Sequence, residues 1–422
     1  MLKRVLKNFG VVLRGRGIGA AFSVGATGLM ANALSVTEFG MVILLHTYIM
    51  VIRGTLNFNT FEAIVRFGVP LNDSGNQPAL CSLLRSTMLV DLAAALLATV
   101  VAIAAVPLAG QFLQWDAEII AAASIYCLVI LSTANGTPNG ILRIYDRFDA
   151  LGVQSAVGPA LRFTMVATLW VLDAPKLMYI IAWGVAFTAG NIYMFLRGLI
   201  ELRVHIQSGL WLNFRWREIR GMGGEFWKFI AVVYWQTNID LLPKHVSVLL
   251  AGSLLGPAAA GLFRLAREFS TILTQPAIIL RDVLFPDLTR SFHAEDGSIR
   301  SVSFKTAMFA GAGGLIFVLI SVIFGESILG IVGKDYVAAS SLLSLLLLAA
   351  SFDLASAPLR AAAYASGKAA TVLRIHILGI ITYIAMFFIL TPITGLIGPG
   401  LAAILSSLLA LFFTIRLIMR NG

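Results

Sequence analysis

Of 422 residues, 59% are apolar and only 12% charged, with a formal net charge of +10. Soluble domains carry about 25% charged residues, so the composition excludes an ordinary water-soluble domain and makes lipid the solvent for most of the surface. The positive balance is read as loop lysines and arginines that orient a membrane protein, not as a nucleic-acid surface, and Cys81 and Cys127, both in apolar stretches, give neither a disulfide framework nor a metal-ligand spacing.

The start, Met1-Leu2-Lys3-Arg4, is like the basic region of a signal peptide, but Arg14 and Arg16 interrupt any apolar region and no small-residue cleavage site follows. It is read as mature protein. At roughly 20 apolar residues per span, spans are expected at about 15–34, 40–62, 82–108, 118–141, 151–172, 177–199, 226–247, 257–283, 304–325, 336–359, 370–391 and 396–417. Six precede the longest polar connection and six follow it. The expectation is an all-α polytopic membrane protein of about twelve transmembrane helices: a six-helix bundle over 1–200, a cytoplasmic connecting loop over 201–225, and a second six-helix bundle over 226–422. His46 stands alone in an apolar run and is read as packed, not ligating.

Charge orients these spans. With the N-terminus inside, inner segments hold or border Lys3, Arg4, Lys7, Arg66, Arg143, Arg147, Arg203, Arg215, Arg217 and Arg220, whereas the outer loops hold Glu38, Asp116, Glu118, Asp173, Glu326 and Asp335, with Lys176 and Lys334 as their cations. Lysine and arginine gather on the cytoplasmic side, so both termini are expected in the cytoplasm. A repeat supports the six-plus-six division. Leu34-Ser35-Val36-Thr37-Glu38-Phe39-Gly40 matches Leu255-Gly256-Pro257-Ala258-Ala259-Ala260-Gly261 in position and punctuation, and each precedes a helix carrying arginines. An even number of spans per half gives parallel repeats.

Several motifs resemble one family. Asn238-Ile239-Asp240 in the seventh span, the turn over 254–263, and Leu284-Phe285-Pro286 are similar to the polysaccharide-flippase branch of the multidrug/oligosaccharidyl-lipid/polysaccharide exporter superfamily. Gly15-Arg16-Gly17, Glu38-Phe39-Gly40 and Ala63-Ile64-Val65-Arg66-Phe67-Gly68 resemble the same branch. The resemblance implies two six-helix bundles around a central cavity, in a bacterial inner membrane. It also implies movement of lipid-linked oligosaccharide between leaflets, with membrane lipid and the polysaccharide polymerase and export machinery as partners. The lipid II flippases of the superfamily usually have fourteen spans, so a count near twelve favours O-antigen or exopolysaccharide flippases.

A charge at the bilayer centre costs ~2.5–3.5 kcal/mol on insertion scales and normally faces a cavity or a partner. Arg53 falls mid-span, as does Arg162, where Gly158-Pro159 is expected to break the helix. Arg264, Arg267 and Glu268 share one helix face, Asp240 and Lys244 are four apart around Pro243, and Asp353 and Arg360 mark the tenth span. For a polyprenyl-pyrophosphate-linked sugar, Arg53, Arg66, Arg162, Arg264, Arg267 and Arg360 are the expected anion-binding residues, since guanidinium forks match phosphate oxygens. Asp240, Lys244, Glu268 and Asp353 are the expected ion-coupling residues. The competing interpretation makes Arg264–Glu268 and Asp240–Lys244 structural pairs, with Arg14, Arg16, Arg85 and Arg374 reaching to the interface.

Two alternatives remain at this stage. A cation-coupled multidrug exporter of the same fold would hold its ligand with acids and aromatics, against which the arginine excess argues. A membrane polymerase or ligase usually needs a large outer loop, and every outer loop here is short. No nucleophile triad, metal spacing or phosphate-cradling glycine loop is apparent, so neither enzyme chemistry nor a cofactor is expected.

Overall fold

Long runs of Ala, Leu, Val and Ile dictate helix here, because in hydrocarbon a helix satisfies its own backbone N–H and C=O groups. The computed structural model describes residues 2–206, 223–241, 245–271, 298–366 and 368–419. In order these form α1 (Leu2–Ala33), α2 (Val36–Thr55), α3 (Thr60–Ala63), a π-helical turn (Ile64–Gly68), α4 (Val69–Asp73) and α5 (Gln77–Leu113). Next come α6 (Ala117–Tyr126), a 3-10 segment (Cys127–Thr133), α7 (Gly136–Ile144), α8 (Phe148–Val171) and α9 (Lys176–His205). The chain continues with α10 (Gly224–Leu241), α11 (Ser247–Leu255), α12 (Pro257–Ser270), α13 (Ser298–Val332), α14 (Ser340–Ala365), α15 (Ala369–Thr394) and α16 (Gly398–Met419).

The fold is all-α and polytopic, and no strand occurs among the described residues. Among those residues, seven helical stretches are long and apolar enough to cross a membrane. One of them, Ala370–Met419, is a hairpin: the chain reverses at Gly395, whose φ of 60° suits glycine, and α15 packs along α16. The expected spans at 15–34 and 151–172 coincide with α1 and α8, outside that group. Of the expected connecting loop, 201–205 continue α9 and 207–222 lie outside the described residues.

Two expected continuous spans are interrupted, and the sequence explains both. Residues 40–62 were expected as one helix, but α2 stops at Thr55 and helix resumes at Thr60. Asn57 Oδ1 accepts the Asn59 N–H at 3.1 Å, and Asn59 adopts φ 47°; asparagine side chains compete with the helix for backbone donors in this way. The expected span 118–141 tightens into the 3-10 segment and breaks at Ala134-Asn135 before α7. In contrast, α8 runs unbroken through Gly158-Pro159, correcting the expected break there.

The chain forms two compact units. The first contains Met1–Leu34 and Leu45–Leu241. Here α1 packs along α8, and α8 along α9. Gly15 and Gly19, four apart on α1, lie against the backbone of Gly152 and Ser155; a Cβ on Gly15 would come within 2.7 Å of Gly152 Cα. Small residues at this spacing let transmembrane backbones approach closely. The second unit contains Ser35–Leu44 and Leu242–Gly422. In it α13 packs along α14, and α14 along α16. The two turns that the sequence relates as repeats meet there. A Cβ on Gly261 would lie 3.2 Å from Gly40 Cα, and Gly40 in turn abuts the Pro257 carbonyl.

At a helix start between spans, Asp116 Oδ1 accepts the Ile119 N–H at 2.7 Å, and Lys176 Nζ lies 3.3 Å from Oδ2. The Ile119 bond, aided by Lys176, holds this carboxyl below the usual carboxylate range against a smaller opposing effect of burial. Its stabilising contribution is complete above the unfolded value of about 3.9 and is lost as pH falls through the lower folded value. Asp116→Asn should therefore flatten the acid side of the thermal-unfolding midpoint against pH, below roughly pH 4. In the α1–α8 pair, Gly15→Val should cost about 1–3 kcal/mol by overpacking. Gly17→Val, where a Cβ meets nothing within 4 Å, should leave the unfolding midpoint in detergent nearly unchanged.

Candidate functional site

Charged side chains inside the helical units form separate groups. In the first unit Arg53, in the last turn of α2, is half-buried. Its Nε is buried without a partner, and it forms no ion pair among the described residues. It lines a small polar cavity of about 10 Å³ together with Asn57, Asp91 and Thr133, walled by alanines of α5. The break after Thr55 creates this place, because a continuous helix would carry Asn57 elsewhere.

Arg162 lies on α8 in an aromatic setting. Its Nη2 donates to Ser23 Oγ at 2.6 Å, and its guanidinium carbon stands 4.4 Å from the Trp183 ring centroid. His46 joins the same patch, with Nδ1 3.0 Å from the Tyr126 hydroxyl and its ring 5.1 Å from Trp183. The expectation of a packed histidine agrees with this. Arg66 sits apart: it is half-exposed, paired with Glu225 at 2.9 Å, and laid over Phe229 at 4.6 Å. A concavity of about 670 Å³ between α6 and α9 is walled almost wholly by apolar side chains, including the exposed Ile125 and Ile181. It is a lipid-facing groove.

In the second unit, α12 carries Arg264, Arg267 and Glu268. Arg264 pairs with Glu268 at 2.8 Å, one helical turn on, as the four-residue spacing requires. Arg267 Nη1 donates to Ser247 Oγ at 2.8 Å, and Tyr383 reaches the same serine. On α14, Arg360 Nη1 donates to Ser356 Oγ at 2.6 Å and Nη2 to the Asp353 carbonyl at 3.3 Å. The Asp353 carboxylate accepts from Ser407 and has Arg360 and His376 as neighbours. Asp240 lies in the last turn of α10, its side chain outside the described part of the structure, and Lys244 lies outside the described residues.

Within the second unit the expected residues fall into two groups, Arg264 and Arg267 with Glu268, and Asp353 with Arg360; within the first, Arg53, Arg66 and Arg162 stand separately on different elements. The reading of the sequence missed Asp91. It is 6% exposed and accepts three hydrogen bonds, from Thr60 Oγ1 at 2.6 Å, Thr137 N at 2.6 Å and Thr137 Oγ1 at 2.7 Å. The signal was present, since Asp91 is the one acid between Arg85 and Asp116 in the third span, and the depth criterion used for arginines applies equally to it. Chemically, half-buried guanidinium groups offer directed donors to an anion, while Asp91 and Asp353 are carboxylates able to hold a proton or a cation.

The fold is similar to that of solved membrane transporters. The inward-facing conformation of a multidrug resistance MATE family transporter of the MOP superfamily matches with a TM-score of 0.72 at 13% identity, over 96% of each chain. The lipid II flippase MurJ in an inward closed conformation matches with a TM-score of 0.70 at 13% identity, over 94% of this chain and 86% of that one. At such identities the likeness is one of fold. Among curated proteins, the inner membrane protein YghQ of Escherichia coli (strain K12) is 27% identical over 334 residues, covering 77% of this chain and 92% of that protein. No protein-family model matches the chain.

The Arg264–Glu268 pair is partly buried, 25% and 16% exposed. Glu268→Gln should destabilise by about 1–3 kcal/mol, because it leaves a guanidinium short of its counter-charge. Arg264→Gln combined with Glu268→Gln should recover part of that loss in a double-mutant cycle read by thermal unfolding in detergent.

Proposed function

We propose that this protein is a flippase that moves polyprenyl-pyrophosphate-linked oligosaccharide across the bacterial inner membrane for O-antigen or exopolysaccharide synthesis. The observation that carries the proposal is the placement of Arg53, Arg162, Arg264 and Arg267 within helical units, half-buried and with directed guanidinium donors. A pyrophosphate cannot cross hydrocarbon unaided, and guanidinium forks match its oxygens. The fold of the MurJ structure and the membrane location in the name of the YghQ relative support the same reading. On it, Asp240, Lys244, Glu268 and Asp353 are candidates for ion coupling, Arg66 and Arg360 join the anion-binding set, and both termini lie in the cytoplasm. Membrane lipid and the polymerase and export machinery are its partners.

The second reading is a cation-coupled multidrug exporter, favoured by the fold shared with the MATE transporter and by the aromatic patch around Arg162. The two separate in cells lacking the protein: surface-polysaccharide loss supports the flippase, and drug hypersensitivity with intact polysaccharide supports the exporter. Under the flippase reading, Arg53→Gln, Arg162→Gln and Arg267→Gln should each lower surface display roughly tenfold to a hundredfold at unchanged protein level. Unchanged display in all three would sink it.

A further inference from the structure

Asp91 lies where two interrupted spans resume. Thr60 opens α3 after the break at Asn57–Asn59, and Thr137 lies in the first turn of α7 after the break at Ala134-Asn135. Both donate to the one carboxylate: Thr60 Oγ1 to Oδ1, and the Thr137 N–H and hydroxyl to Oδ2. The Thr137 hydroxyl has a second possible acceptor, Thr87 Oγ1 at 3.1 Å. Thr87 Oγ1 in turn lies 3.1 Å from the Leu83 carbonyl and 3.0 Å from that of Leu84.

A hydroxyl has one hydrogen, so Thr137 donates either to Asp91 or to Thr87. With Asp91 ionised, that hydrogen goes to the carboxylate. With Asp91 neutral, the carboxyl O–H donates to Thr137 Oγ1, Thr137 turns its hydrogen to Thr87, and Thr87 keeps its own on a backbone carbonyl. Both protonation states are fully hydrogen-bonded without moving a heavy atom. A carboxylate that only braced the two helix breaks would need the first arrangement alone.

The charged and titratable groups around this point are few. The elements packed on α5 near Asp91 carry Glu62 on α3, Arg66 on the π-helical turn, Asp73 on α4, Glu118 and Tyr126 on α6, Cys127 on the 3-10 segment and Arg143 on α7; α5 itself carries Arg85. Arg66 is paired with Glu225, and Arg143 donates to Asn139 Oδ1 at 2.9 Å and lies over Phe61. Arg53, at the end of α2, lines the same cavity as Asp91, and its buried Nε is without a partner.

We propose that Asp91 is a reversible proton-binding site of the first unit, and that proton uptake there raises the affinity of Arg53 for an anionic headgroup. The second half rests on the proposed function; the first does not. The carboxylate takes its proton from bulk water to become a carboxylic acid and returns it in the reverse step. Neutral Asp91 no longer competes for the cation that shares its cavity, so an anion meets a less screened guanidinium. By linkage the coupling is reciprocal, and an anion at Arg53 draws a proton onto Asp91.

Infrared difference spectra of the full-length protein in lipid vesicles, taken between roughly pH 8 and pH 4, test the proton site. Acidification should produce a carboxylic-acid C=O band that is absent in Asp91→Asn and displaced in Thr137→Val, which removes the switching hydroxyl. A wild-type difference spectrum identical to that of Asp91→Asn, or a band unmoved in Thr137→Val, overturns it. Should Asp91→Asn fail to fold, Thr137→Val and Thr87→Val carry the test by the same displacement. Farnesyl pyrophosphate binding over the same interval tests the coupling, since the titration of the probe itself is common to both proteins. Wild type should gain roughly tenfold more affinity on acidification than Asp91→Asn, and equal pH dependence overturns the coupling. If Arg53→Gln binds the probe as tightly as wild type while the infrared band stands, the assignment of the anion to Arg53 fails and the proton site survives.

Discussion

A helix that breaks inside hydrocarbon leaves backbone donors that lipid cannot satisfy, and in the first unit one carboxylate takes such a donor at one break and ties it to the start of the helix after the other. Asp91 accepts the Thr137 N–H from the opening turn of α7 and the hydroxyl of Thr60 at the start of α3. Asn135 Nδ2 donates to Asn191 Oδ1 at 2.7 Å, and Asn191 Nδ2 to Ser132 Oγ at 3.1 Å, tying the second break to α9. The position of Arg53 follows from the first break, because the turn that ends α2 at Thr55 brings Asn57 and the guanidinium to one cavity.

The arginines fall into two physical kinds. Arg66 pairs with the exposed Glu225, and Arg147 with Glu201 and Asp149 where α8 begins and α9 ends. The exposed Arg66–Glu225 and Arg147–Asp149 pairs contribute little to stability, whereas Arg147 also meets a buried carboxylate in Glu201. Arg53 and Arg267 are different, for among the described residues they face a polar cavity and a serine hydroxyl and form no salt bridge, while Arg162 donates to Ser23 and faces the Trp183 ring. A guanidinium placed so keeps its charge in a region of low dielectric, which is costly. It is also the condition under which a visiting phosphate is bound most strongly.

What the sequence made legible follows from the same physics. Apolar runs of twenty residues or more announce helices, and the all-α polytopic fold could be read from them. The i,i+4 spacing placed Arg264 on Glu268, and the matched turns at Leu34–Gly40 and Leu255–Gly261 marked surfaces that do pack on one another. The interruptions of the second and fourth spans were not legible, because hydropathy averages over the single turn where Asn57, Asn59 and Asn135 divert backbone donors. At Gly158-Pro159 the opposite occurred. Pro159 lacks an N–H to donate, yet close packing of Gly158 on α9 holds α8 in one helix. Asp91 was passed over because an isolated acid in an apolar run has no pattern, and its significance lies in threonines 31 and 46 positions away in sequence.

The repeat expected from the sequence bears on two carboxylates, the buried Asp91 and the more accessible Asp353. The six-plus-six division expected from the sequence pairs the third span with the ninth and the fourth with the tenth. Asp91 is on the third and Asp353 on the tenth, so they are not counterparts. The ninth span has no acid before Glu326 near its end, and the fourth has none after Glu118 at its start. Turns that pack backbone against backbone tolerate no side chain, and Gly40 and Gly261 remain matched. Charges are under no such constraint. Asp91 is bound by threonines that open two half-helices, whereas Asp353 has a serine, an arginine and a histidine around it. A carboxylate tied to helix starts links its charge to backbone geometry. One held by side chains alone links its charge to those side chains instead, so the two sites differ in what a change of charge would move.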